Sequence, residues 1–276
     1  MFKLATSTNL LSFNQDGSKT EMVNLIPKLK TLGYENLDLN FCEMMNPTST
    51  LISDKRDEYL STLLSYKNVY KVNYVQSHVP YTQDYLALSK EKQNKLDELI
   101  TKAISYSALL NIDTVVIHPI KGNITQNLHY FERVLKQCPS TIKLAIENMD
   151  KKDELWELST LITLIKELKC KNVGLCLDTG HANLNYERIE EEIERLGDYL
   201  IATHIADNHG VKDEHLMPYF GTICWEKVIK AFKAIGYEQY LTYEVMFFTS
   251  KLPQELKEKA ALLGLDILNY FVSIAR

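Results

Sequence analysis

Eight short runs rich in β-branched and apolar residues recur along this chain, roughly 30 to 40 residues apart, and a longer amphipathic segment follows each of them. Antiparallel strands can be joined by two-residue turns, whereas parallel strands need a crossover of a dozen or more residues, usually a helix. The wide, regular spacing therefore points to repeated βα units around a parallel sheet. The runs cover residues 3–6, 37–40, 74–78, 114–118, 143–147, 173–178, 201–205 and 241–245, with helical patterns such as 91–110, 154–168, 186–199 and 253–271 between or after them. Eight such units in 276 residues match a closed (β/α)8 barrel, which typically takes about 250 residues as one domain. An open doubly wound sheet is the competing arrangement, but no GxGxxG follows the first run and there is no P-loop. The expectation is a single (β/α)8 TIM barrel over residues 1–276, with parallel strands inside and helices outside.

Six of the runs finish on, or within a residue of, a side chain able to bind a metal. These are His78 (QSHVPY), His118 (VVIHPI), Glu147 (LAIENM), Asp178 (CLDTGH), His204 (ATHIADN) and Glu244 (TYEVM). An ionisable group buried at the end of an apolar strand costs several kcal/mol unless it is paired or bound to a metal. The period of two along a strand supplies a check, because residues two before each candidate share its face. They are Gln76, Val116, Ala145, Cys176, Ala202 and Thr242, mostly small or apolar, as a packed layer beneath a polar mouth requires. Each candidate alone has a plainer explanation. A strand-end histidine is commonly a hydrogen-bonded structural residue, and Asp178 could simply cap a helix starting near Tyr186 or hold the turn at Gly180. Six such coincidences at the same end of six strands are better explained by one shared site, since (β/α)8 enzymes build their sites there. Three further candidates, His181, Asp213 and His215, fall in the loops after the sixth and seventh runs. A set of nitrogen and oxygen donors suits zinc, manganese, cobalt or iron rather than a soft metal.

The five cysteines form no CxxC pair, which suits reduced thiols and disfavours a thiolate zinc site. The start of the chain lacks a signal-like apolar run, and no stretch of about 18 apolar residues occurs, so a cytoplasmic protein without membrane spans is expected. A formal net charge of −5 gives no general attraction to phosphates, which disfavours a nucleic-acid partner. Aromatic residues near the expected mouth (Phe13, Tyr81, Tyr219, Phe220, Trp225 and Phe247) are candidates to stack on a sugar ring, although aromatics are more often core. Lys121, Lys212 and the Glu190 to Glu194 run read as solvated charges.

The runs GLCLDTGHAN, HIADNHGVKDEHLMPYFGTICW and YEVM, together with HVPY, VVIHP and AIEN, resemble the xylose-isomerase-like barrel superfamily over nearly the whole chain. That superfamily joins sugar isomerases and epimerases with endonucleases of the endonuclease IV type. The resemblance to the sugar branch implies one divalent metal (zinc, manganese or cobalt) held by Glu147, Asp178, His204 and Glu244. It also implies that Glu147 and Glu244 act as an acid/base pair through an enediolate, and that His181 contacts substrate oxygens. His78, His118 and Trp225 are then expected to meet a small sugar. The resemblance to endonuclease IV implies instead three zinc ions held by nine residues: His78, His118, Glu147, Asp178, His181, His204, Asp213, His215 and Glu244. Against that branch, the ENMDKKDELW loop lacks its glycine-rich turn, the loop before DEH lacks its arginine, and no long basic, aromatic-rich insertion is present. The arginine that some ketose epimerases carry after the seventh strand is missing too, since His209, Gly210 and Val211 occupy that stretch. The expected function is a metal-dependent isomerase or epimerase of a small ketose or aldose, with abasic-site cleavage as the alternative.

Overall fold

The computed structural model describes residues 2–275. Eight strands form one parallel sheet: β1 Lys3–Ser7, β2 Asn36–Asn40, β3 Asn73–His78, β4 Thr114–Ile117, β5 Lys143–Glu147, β6 Val173–Asp178, β7 Leu200–His204 and β8 Tyr240–Tyr243. Their order is β7-β6-β5-β4-β3-β2-β1-β8, and the sheet curls into a (β/α)8 barrel. The seam between β7 and β8 is closed by a parallel bridge, Ile205 to Tyr243. The Ile205 amide donates to Thr242 (2.7 Å). There the Thr203 hydroxyl stands in for the ladder, donating to the Tyr240 carbonyl at 2.8 Å and accepting from the Thr242 amide at 3.2 Å. His204 and Glu244 adjoin this seam, each next to a bridge residue, and the Glu244 amide donates across it to Ile205 (3.2 Å).

The helices are α1 Met22–Thr31, α2 Arg56–Val69, α3 Lys90–Leu109, α4 Ile124–Gln137, α5 Leu158–Glu167, α6 Thr179–Asn185, α7 Ile189–Leu196, α8 Trp225–Ala234 and α9 Gln254–Ile274. Local chemistry sets several boundaries. Asn123 and Gln126 form a reciprocal capping box at the start of α4, which satisfies two backbone donors that a helix start otherwise leaves open. Buried Leu96, Ile100, Ala103, Ile104 and Ser107 give α3 one core-facing stripe at helical spacing. The reading of 154–168 as helix is corrected at its start, because residues 154–157 precede α5 as loop and turn. The segment 186–199 is likewise shorter, with helix only over α7 and a 3-10 turn at Gly197–Tyr199. Among the described residues no helix is long and apolar enough to cross a membrane.

Alternation along the strands divides the interior in two. Val115, Ile117, Leu144, Ile146, Leu175 and Leu177 face outward into the main core beneath the helices. Val116, Ala145, Cys176 and Ala202 face inward and pack together inside the barrel. A sheet residue shifted by one would exchange these faces, so the register also fixes which side chains reach the mouth.

Candidate metal centre

The last inward residue of each strand sits one step above that small apolar layer. His78, Glu147, Asp178 and His204 are the final residues of β3, β5, β6 and β7, while His118 and Glu244 stand one residue beyond β4 and β8. All six are buried. Glu147, Asp178, His204 and Glu244 each offer one ligand atom, and these atoms all lie within 4.8 Å of one another. His204 Nδ1 is 3.2 Å from Glu147 Oε1 and 3.3 Å from Glu244 Oε2.

Three atoms of this cluster, Glu147 Oε1, Asp178 Oδ2 and His204 Nδ1, are buried without a hydrogen-bond partner. Leaving one buried polar group unsatisfied costs about 1–3 kcal/mol, and more when it is charged. Three carboxylates and an imidazole converging with open donor atoms are the set a divalent cation satisfies, so the residues fit a metal. Asp178 divides its work: Oδ1 accepts from the His181 amide at 2.6 Å and so caps α6, leaving Oδ2 for the cluster. The plainer role weighed for Asp178, a helix cap, is thus present beside the cluster, but the helix it caps begins at once, at Thr179, and not near Tyr186.

The electrostatics follow from this crowding. Burial opposes ionisation of Glu147, but the imidazoles of His204 and His118 outweigh it and hold the carboxyl well below the ordinary glutamate range. Burial raises Glu244 to about 7, opposed by His204 and reinforced by Glu147. Burial disfavours the His204 cation, yet Glu244 and Glu147 raise the ring to about 10. His118 goes the other way, to about 4, because burial prevails there.

Two further groups flank the cluster. His78 Nε2 and His118 Nε2 are 3.0 Å apart and lie 3.3 and 3.1 Å from Glu147 Oε2. On the other side, Asp213 Oδ2 lies 3.5 Å from His181 Nε2 and 2.8 Å from His215 Nε2. Three of these histidines are aimed by backbone carbonyls. Their Nδ1–H groups donate to Val79 (His78, 2.9 Å), Asn148 (His181, 2.9 Å) and Glu244 (His215, 2.8 Å). A carbonyl only accepts, so Nδ1 carries a proton in each ring and Nε2 is the nitrogen turned toward the site. All nine candidate positions are thus brought into one region.

Several contributors were not legible beforehand. Asn148 zips β5 to β6: its Oδ1 accepts from the Asp178 amide (2.7 Å) and its Nδ2 donates to the Asp178 carbonyl (3.0 Å). Its position right after Glu147 was the one available signal. Asp207 is fully buried and accepts from the amides of Asn208, Tyr219 and Ile223 and from the Trp225 indole. It folds the loop that carries Asp213 and His215. A Cβ at Gly221 would collide with the Asp207 carboxylate and the Asn208 carbonyl, so the loop requires glycine there. Trp225 is fully buried, stacked on Phe271 with centroids 5.2 Å apart, and presents no surface at the mouth. Tyr81 lies against His118 (3.8 Å), and Phe247 against Phe13 (4.9 Å) and His215 (5.9 Å); Tyr81 and Phe247 are exposed. Tyr219 instead packs on Tyr270 and Phe271, and Phe220 on Phe248. Lys212 lies 3.7 Å from Glu214.

Residues 26–264 match the sequence profile of the xylose isomerase-like TIM barrel family. An uncharacterized protein of Methanocaldococcus jannaschii is 30% identical over 239 residues, 80% of this chain and 79% of that one. One of Sinorhizobium fredii is 30% identical over 183 residues, 60% of this chain and 59% of that protein, so less than two thirds of its length is spanned. A probable endonuclease 4 of a Sulfurihydrogenibium species is 27% identical over 146 residues, 49% of this chain and 52% of that one. Among solved structures, a D-tagatose 3-epimerase-like protein superposes with a TM-score of 0.77 at 22% identity, covering 99% of this chain and 98% of the other. D-psicose 3-epimerase superposes with a TM-score of 0.76 at 15% identity, covering 98% and 99%. At such identities the superpositions speak for the fold, while the profile and the archaeal relative speak for descent. The chain belongs to the xylose isomerase-like TIM barrel family.

Proposed function

We propose that this protein is a divalent-metal-dependent isomerase or epimerase of a small ketose, aldose or related polyol ketone. The observation that carries the reading is the buried four-residue cluster, in which Glu147 and Glu244 face a common point with unsatisfied donor atoms around it. The chemistry supplied by bound zinc, manganese or cobalt is Lewis-acid polarisation of a substrate carbonyl and its neighbouring hydroxyl, which makes the intervening C–H acidic.

The rest is done by the chain's own side chains. Glu147 and Glu244 leave β5 and β8, three steps apart around the closed barrel, so their carboxylates approach a bound substrate from different sides. One removes the α-proton and the other returns a proton to the neighbouring atom or the opposite face. Without a bound ion their environments differ, Glu147 held well below the ordinary glutamate range and Glu244 raised to about 7, and a bound dication would favour the ionised form of both. His181, whose Nε2 faces Asp213 at 3.5 Å, would hold a substrate oxygen beside the proton being moved. Tyr81 and Phe247 flank the opening and supply apolar faces for the carbon side of a sugar. The epimerase neighbours in fold support the same class of substrate.

Incubation with a panel of ketoses and aldoses in deuterated water tests the assignment. Deuterium should enter next to the carbonyl of the substrate that is turned over. Turnover without solvent deuterium would point to hydride transfer and remove the acid/base roles from Glu147 and Glu244.

A second reading, phosphodiester cleavage at abasic DNA sites, is favoured by one observation. His78 and His118 converge on Glu147, and His181 and His215 on Asp213, as two groups beside the main cluster. The partial match to a probable endonuclease 4 points the same way. Cleavage of an abasic duplex accompanied by two or three tightly held zinc ions per chain would replace the sugar reading.

A further inference from the structure

Of the histidines at the mouth, His204 is oriented differently from the three that a carbonyl aims. His78, His181 and His215 present Nε2 to the site because Nδ1–H is held by a carbonyl. His204 presents Nδ1, which lies 3.2 and 3.3 Å from the two glutamates. Its outer nitrogen, Nε2, meets the side-chain amide of Gln76 at 3.0 Å. Both residues are buried. A neutral imidazole carries one proton, and the nitrogen that keeps it cannot bind a cation, so whatever faces Nε2 decides whether Nδ1 is available.

We propose that Gln76 is a positioning residue that selects the metal-binding tautomer of His204, by presenting its amide oxygen to Nε2–H. The inference rests on the reading of Glu147, Asp178, His204 and Glu244 as a metal site. The atom of Gln76 facing the ring is Nε2. A half-turn about the Cγ–Cδ bond brings Oε1 to the same point, and that orientation is the one a proton on His204 Nε2 requires. With the NH2 group facing the ring, the proton is driven to Nδ1, into the mouth, where it blocks coordination.

The position of Gln76 is built into the sheet. The β2–β3 register skips from Leu37–Tyr74 to Asp38–Gln76, so Val75 is the extra residue of a bulge, a device that re-aims a side chain. Gln76 is thereby set in the inward layer beneath the mouth, opposite Asp38. Asp38 is buried with its Oδ1 lacking a donor, so the layer has an acceptor for an amide NH2 turned away from the ring. Asp38 and Gln76 together supply what His204 needs and what no carbonyl supplies.

Zinc affinity, read by chelator competition on the full chain, separates this role from simple packing. Gln76→Met keeps the volume but removes the acceptor and should weaken zinc at the cluster by about 10–100-fold. Gln76→Glu restores an acceptor and should stay within about fivefold of the parent, a carboxylate being the acceptor often found behind a ligating histidine. A residue that merely fills space would give the reverse order, with methionine tolerated and a buried carboxylate not. Histidine-labelled NMR of the zinc-loaded parent needs no variant: the His204 proton should reside on Nε2. A proton on Nδ1, or zinc binding unchanged in Gln76→Met, overturns the role of Gln76 while leaving the metal site standing. No zinc uptake by the parent overturns both together.

Discussion

The four strand-borne candidate ligands and the loop-borne ones reach the same mouth by different physical routes. Glu147, Asp178 and His204 end regular strands, and Glu244 follows β8 by one residue, so barrel register alone places them over the small apolar layer. Asp213 and His215 ride on the β7–α8 loop, where His215 has φ +46° and Tyr219 φ +73°. Non-glycine residues adopt that region only when their surroundings enforce it. The enforcement comes from Asp207, which gathers four donors, and from the close approach at Gly221. The strand cluster is buried, with only Glu244 keeping as much as 9% of its side chain exposed, whereas Asp213 keeps 29%. The proposed single-ion site is thus strand-held on one side and loop-held on the other.

The largest effect that would sharpen this contrast is expected at Glu147, the carboxylate shared by the cluster and by the His78 and His118 pair. Glu147→Gln should slow solvent-deuterium exchange by about a thousandfold, within the usual range for losing an acid/base group. Repeating the assay with excess metal divides lost occupancy from lost proton transfer. An exchange rate within tenfold of the parent at full occupancy would remove Glu147 from the chemistry.

The next effect is on pH. A cation at Nδ1 displaces the His204 proton, and this ring is raised to about 10 by Glu244 and Glu147 against the burial that opposes it. Glu147 is already ionised and releases none. Glu244, raised to about 7, must also release a proton at the lower end, so zinc affinity should climb about a hundredfold per unit near pH 6 and flatten to about tenfold per unit, one proton per ion, toward pH 8. The metal-free fold runs the opposite way. A histidine pKa raised on folding contributes stability that is full below about 6.5 and fades as pH rises toward 10. An affinity profile that is flat toward pH 8 would show that His204 enters the site without its proton.

Asp207→Ala tests the loop side. It leaves three backbone amides and an indole without their acceptor, and the destabilisation in urea should be at least about 2 kcal/mol. Metal counting should find the strand cluster still loaded once the variant is folded. Loss of that ion together with the loop would mean the two regions are one cooperative unit.

The smallest effect is expected from Asp213→Ala combined with His215→Ala, which should change sugar turnover less than about tenfold if these residues only line the flank. Complete loss of turnover, or loss of a second and third zinc with abasic-site cleavage, would invert the comparison.

Much of the strand cluster was legible because a period of two, repeated on eight well-spaced runs, fixes both face and height. Residues 143–147 and 173–178 fall on the strands as read, and the layer from Gln76 to Thr242 is buried as the alternation requires. The loop side was legible only as residue types. Asp207 and Gly221 matter through contacts with residues elsewhere in the chain or through backbone approach, of which local pattern carries no sign, and Asn148 was marked only by its place right after Glu147. Trp225 illustrates the converse, an aromatic near a functional loop that the fold spends on bracing Asp207.

The parallel barrel, and the end of it that holds the ionisable groups, follow from the order of residues alone, because crossover length and side-chain alternation are local properties that strand pairing must obey. Which nitrogen each histidine turns to the site, that Asp178 both caps α6 and keeps one oxygen free, and that Gln76 stands behind His204 emerge only when the chain is folded. Those outcomes depend on which acceptor a buried donor meets across the barrel, and such partners are chosen by packing between strands that are neighbours in space but far apart in the chain.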